Sequence, residues 1–203
     1  RQKEGCKVTN IVGMILTALA AVTVENIIFS GGIGFSRVLR AARKPKTLGM
    51  YSAFITVFSV ISSVMGYYLN RLFPESELSP ILRPAALAVC IALVYILAAG
   101  ILKLSVPAFY KKYGQILSPA AINTVVLSMP YVIGNYRLGL WDAVGFALGT
   151  GVSFFFATVI LSRALHQCKN EDMPNAFSGL PATLIYIGIL SMAFAGFTGG
   201  KIF

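Results

Sequence analysis

Val24-Glu25-Asn26-Ile27-Ile28-Phe29-Ser30-Gly31-Gly32-Ile33-Gly34 closes an apolar run that begins at Val8. It sets one carboxylate and one amide inside a stretch long enough to cross a bilayer. A helix needs roughly 20 residues to cover about 30 Å of hydrocarbon. Five further runs approach that length: Leu48–Leu69, Pro84–Leu102, Ile116–Ile133, Ala143–Leu161 and Leu180–Phe197. Of the 24 charged side chains, 17 basic and 7 acidic, only Glu25 lies clearly inside a run. An ionisable group at that depth costs about 2.5–3.5 kcal/mol on insertion scales, so it calls for a reason. The expected architecture is all-α and integral to the membrane, a single domain over residues 1–203.

Composition supports this class. Apolar residues make up 57% and charged residues 12%, whereas soluble domains carry about 25% charge. A net charge of +10 in a soluble chain would suggest nucleic acid. Here the basic residues flank the runs in short loops, which points to topology and anionic lipid and away from nucleic acid. Counting Lys and Arg on alternate sides gives seven against ten, with the densest cluster at Arg37, Arg40, Arg43, Lys44 and Lys46. The positive-inside rule then puts that loop in the cytoplasm and both termini outside an inner (plasma) membrane. The cluster reads as a topology determinant and lipid contact. Cys6, Cys90 and Cys168 are far apart and lack CxxC spacing, so they build neither a disulfide framework nor a metal site.

The six runs divide into two sets of three, about 8–104 and 113–200. With an odd number of spans per half, equivalent halves have opposite orientations, which is the inverted-repeat plan with a site at the midplane. The opening run of each half is the irregular one. The first ends in Ser30-Gly31-Gly32-Ile33-Gly34, where each glycine weakens a helix by about 1 kcal/mol. The fourth contains Pro119 and Pro130, which remove backbone donors and clash with the preceding turn. Broken first and fourth helices are therefore expected, in a protein or cavity environment that receives the freed groups. Gly145 and Gly149 form a GxxxG pair suited to close helix packing. Tyr67, Tyr68, Phe73, Tyr110, Tyr113, Tyr136 and Trp141 near run ends read as interfacial anchors.

Glu25 with Asn26 can serve as a cation or proton site, or as a neutral hydrogen-bonded clamp between helices. Asn123 in the opposite broken run is a natural partner for exposed backbone groups. His166 reads as a solvated loop residue, and Glu171 and Asp172 as helix-capping residues before Pro174. No GxSxG, HExxH, P-loop or nucleotide-binding glycine pattern is present, so a self-contained enzyme is not expected.

These residues carry a resemblance. The run from Val24 to Gly34 is similar to the first span of the RnfA/RnfE and NqrD/NqrE membrane subunits. So are Pro107-Ala108-Phe109-Tyr110 through Gly114 to Ile122-Asn123, the stretch Gly145–Gly151, Asp172-Met173-Pro174, Phe177-Ser178-Gly179 and Ile189–Gly199. The similarity spans nearly all the chain from about residue 14. It implies six helices in two inverted three-helix repeats, within a translocase that couples electron transport to sodium or proton movement alongside other membrane subunits. In that family each subunit supplies two cysteines, one from each broken helix, and two subunits together hold an iron–sulfur cluster. This chain has Ser36 and Thr124 at those positions. Clusters are held by thiolates, so the expectation is a divergent, non-catalytic subunit that binds no cofactor alone. The alternative is a stand-alone inverted-repeat secondary transporter whose midplane site is lined by Glu25, Asn26, Asn123 and Thr124; a purely structural partner is the third reading.

Overall fold

The structure, a computed structural model, describes residues 2–42, 47–72, 79–167 and 179–197, all helical or irregular, with no strand among them. Arg43, Lys44, Lys46, Phe73, Cys168, Glu171, Asp172 and Met173–Ser178 lie outside the described residues. Among the described residues eight helices follow in order: α1 (Gln2–Val22), α2 (Phe35–Ala42), α3 (Leu48–Leu72), α4 (Ser79–Ser105), α5 (Pro107–Ala121), α6 (Thr124–Tyr136), α7 (Leu140–Gln167) and α8 (Leu180–Phe197).

Among the described residues three helices, α3, α4 and α7, are each long and apolar enough to cross a bilayer, and α5 with α6 makes a fourth candidate bent by 40°. The apolar parts of α1 (Asn10–Val22) and α8 (Pro181–Gly196) are shorter. The first run is thus not one helix with a frayed end. It stops at Val22, and Glu25 and Asn26 lie in an irregular segment of residues 23–34 instead of on the helix. The prolines of the fourth run also act differently from expectation. The break falls between them, at Ile122-Asn123, and Pro130 sits inside α6. His166 falls in the last turn of α7 and not in a loop.

Helix contacts cross the chain's midpoint. α1 and α2 pack on α7, while α5 and α6 pack on α3, and α3 packs on α7 at the centre. The GxxxG pair explains the first of these. A methyl on Gly145 or Gly149 would overlap the backbone of Met14 or Ala18 on α1, so only glycine lets α7 approach this closely. On the other side a Cβ on Gly66 of α3 would stand 2.7 Å from the Pro130 ring of α6. The core therefore lies along the broken segments: Ile28, Ala120, Ala121, Val125, Val126 and Met129 are fully buried. α4 and α8 are peripheral and present Leu93, Ile96, Leu97, Ile101, Ile185, Ile189 and Met192 outward. An apolar exterior of this extent is stable only against lipid or other apolar helices.

Candidate functional site

The two breaks meet at the centre of the molecule. In the first, Asn26 is 2% exposed, and its side chain substitutes for missing helical bonds. Its Nδ2 donates to the Val22 carbonyl at 2.9 Å, and its Oδ1 accepts from the N–H groups of Ile28 and Phe29, both at 3.2 Å. Short polar side chains compete with the helix ladder in this way, and here that competition ends α1 at Val22. The segment then turns through Gly32 (φ +64°) and Gly34 (φ +79°), a region that costs other residues about 1–2 kcal/mol. The Gly34 carbonyl accepts from Arg37 and Val38 at 2.9 and 3.1 Å and so opens α2. Phe29 stacks on Phe194 of α8 with ring centroids 4.4 Å apart, which pins the segment from outside.

The second break is only two residues long. Asn123 is extended (φ −111°, ψ 141°) and caps α6, its Oδ1 accepting from the Val125 N–H at 3.3 Å. The carbonyl freed at the break, Pro119 O, and two inside α6, Val126 O and Pro130 O, all accept from α3. The Tyr51 hydroxyl donates to Pro119 O at 3.1 Å, the Ser62 hydroxyl to Val126 O at 2.6 Å and Asn70 Nδ2 to Pro130 O at 3.0 Å. Val126 is the acceptor that Pro130, four residues on, cannot serve. Asn123 Nδ2 is buried without a partner among the described residues.

Gly34 joins the two. A methyl there would overlap the Val125 side chain and stand 3.5 Å from Asn123 Oδ1, so the start of α2 abuts the start of α6. Both half-helices present their N-termini, with the positive ends of their dipoles, to this junction. Ser36 and Thr124 occupy the first turns of α2 and α6, and both are exposed on this chain taken alone.

Glu25 is placed elsewhere. It is half-buried, and it accepts a hydrogen bond from the Tyr136 hydroxyl, at the far end of α6. Asn123 starts that helix, and its 13 residues measure about 20 Å. The candidates thus form two stations, Glu25 with Tyr136 and the junction of Gly34, Asn123, Ser36 and Thr124, while Asn26 closes on its own segment in the first break. Tyr136 is the residue that sequence reasoning passed over, because an aromatic at a run end reads as an anchor. The α3 donors left a clearer signal, since Ser52, Thr56, Ser59, Ser62 and Ser63 load one apolar span with hydroxyls.

Comparison with known proteins gives a consistent answer. Residues 14–200 match the family model described as Rnf-Nqr subunit, membrane protein. One subunit of the Na+-translocating NADH-quinone reductase of Idiomarina loihiensis is 27% identical over 192 residues, covering 89% of this chain and 95% of that one. One subunit of the ion-translocating oxidoreductase complex of Syntrophotalea carbinolica is 28% identical, with 92% and 96% covered. One subunit of the proton-translocating ferredoxin:NAD+ oxidoreductase complex of Clostridium ljungdahlii is 26% identical, with 89% and 94% covered.

Proposed function

Since this chain belongs to the Rnf-Nqr family of membrane subunits, we propose that it serves as a multi-pass membrane subunit of an ion-translocating redox complex, in a divergent form that carries no cluster ligands of its own. The match over residues 14–200 carries the first part of this reading. The second part rests on the donor set at the junction. Ser36 and Thr124 offer neutral hydroxyls where thiolates are needed, and an iron–sulfur cluster does not fit them. Cys90 is half-buried within α4, on neither of the broken segments.

The full topology is six spans in two inverted repeats, in the inner membrane, with both termini outside. The exchange of helices between halves supports it. A two-fold axis through the α3–α7 contact would carry α1 and α2 on α7 onto α5 and α6 on α3. In this reading the subunit's partners are other membrane subunits packed on its exposed apolar faces. The ion-handling candidates are Glu25 beside Tyr136, Asn26 in the first break and Asn123 at the second.

Purification from native membranes tests the proposal. The chain is expected to co-purify with flavin- and ferredoxin-bearing subunits, and its own iron content is expected to be zero after it is separated from them. Stoichiometric iron that disappears in a Cys90→Ser variant would overturn the cluster-free form. Isolation as a stand-alone protein that moves a cation in vesicles would favour the transporter reading.

A further inference from the structure

A second polar feature lies apart from both breaks. α2, the start of α3 and the C-terminal half of α5 line a cavity of about 160 Å³, and Arg37, Arg40, Thr47, Tyr51 and Gln115 supply its polar lining. Among the described residues no acidic side chain lines it; Leu48 and Pro119 form part of its apolar wall. Arg37 and Arg40 stand one helical turn apart, so both guanidinium groups reach the same opening. Val38 and Ala42, on the opposite face of α2, are buried, which fixes that orientation. The Tyr51 hydroxyl is held by its bond to Pro119 O. Pro119 has no N–H, so the Gln115 carbonyl lacks its helical donor. The opening therefore combines two forked cations, an amide, a phenol oxygen and an apolar wall.

We propose that this cavity is a binding site for a phosphate oxyanion, and specifically for the headgroup of an anionic phospholipid. Paired guanidinium groups match phosphate oxygens in geometry and charge. The Gln115 carbonyl offers an acceptor to headgroup hydroxyls, and Leu48 and Pro119 meet the carbon skeleton. The cavity lies at the end of α3 that adjoins the basic loop, where an anionic leaflet raises the local concentration of such headgroups. A general surface attraction would draw alike on basic residues outside the cavity, such as Lys103 on α4. A built site draws on Arg37 and Arg40, which line it.

The test uses the full chain, delipidated in a neutral detergent, with the thermal midpoint read against added dioctanoyl phosphatidylglycerol, dioctanoyl phosphatidylcholine or inorganic phosphate. Phosphatidylglycerol is expected to raise the midpoint in a saturable manner, and phosphatidylcholine is not. Arg37→Gln and Arg40→Gln should each raise the half-saturating concentration at least tenfold, while Lys103→Gln, on α4 and outside the cavity lining, leaves it within twofold. Gln115→Glu, which sets a carboxylate beside the two guanidinium groups, should abolish the response to the lipid. An Arg37-dependent shift with inorganic phosphate as large as that with the lipid would keep the oxyanion site but assign it a soluble occupant. Equal losses at Arg37 and Lys103, or no shift with either anion, would overturn the site.

Discussion

The two breaks solve one problem by different chemistry. The first, residues 23–34, is long and closes on itself: Asn26 bonds to its own turn three times, and glycines at positive φ carry the chain round. The second, Ile122-Asn123, is short and relies on α3, whose Tyr51 caps the Pro119 carbonyl beside it and whose Ser62 and Asn70 bond the Val126 and Pro130 carbonyls of the helix that follows. A glycine-rich segment can route its backbone to its own donors, because it has the conformational freedom and length to do so. A proline-flanked break is stiff and lacks donors, so a neighbour must bring them. The first break thus needs correct local sequence, and the second needs correct packing.

Gly34 is where the two kinds meet, and its substitution should have the largest effect. Gly34→Ala combines a positive-φ penalty with overlap against Val125, together about 2–4 kcal/mol. The thermal midpoint in detergent should fall accordingly, and Val125→Ala in the same chain should restore part of the loss. No restoration would mean that the strain at φ +79° acts alone and that the breaks are independent.

Next in size is the contrast between the two asparagines. Asn26→Ala removes three hydrogen bonds and strands buried backbone groups, an expected cost of about 2–3 kcal/mol. Asn123→Ala removes one cap bond, worth about 1 kcal/mol, and also deletes the unpartnered Nδ2, so its net cost should be smaller. Unfolding of the two variants side by side checks the order; equal losses would indicate that Asn123 Nδ2 has a partner in the assembled complex. The α3 donors come third. Ser62→Ala and Tyr51→Phe should each cost about 1 kcal/mol, and each should add to Asn26→Ala without coupling, since the breaks draw on separate donors.

Much of this was legible in the sequence. The apolar runs, the position of irregularity in each half, and the GxxxG contact of Gly145 and Gly149 all follow from hydropathy and from glycine and proline chemistry. The places of the breaks were less so. Gly31-Gly32 drew attention to the end of the first run, but Asn26 ends the helix earlier, because side-chain competition with the backbone depends on local geometry. Pro130 reads as a breaker, yet α3 supplies the missing donor through Ser62, and a helix with a substitute donor can continue. The site was legible as a set of residues and not as an arrangement. Glu25 and Asn26 are adjacent in sequence, but one side chain turns to Tyr136 and the other closes on its own backbone.

That divergence gives the last prediction, the smallest in stability and the most telling for function. Glu25→Gln keeps an oxygen to accept from Tyr136 and removes the charge, so the thermal midpoint should move by less than about 0.5 kcal/mol equivalent. If Glu25 handles the ion, sodium or proton movement by the reconstituted complex should fall at least tenfold in Glu25→Gln, and Tyr136→Phe should shift the ion's apparent affinity. Asn123→Ala, at the other break, should leave that affinity unchanged. The opposite pattern would move ion handling to the junction where α2 and α6 begin. Glu25 would then be a polar tie that binds the loop of the first break to the end of α6.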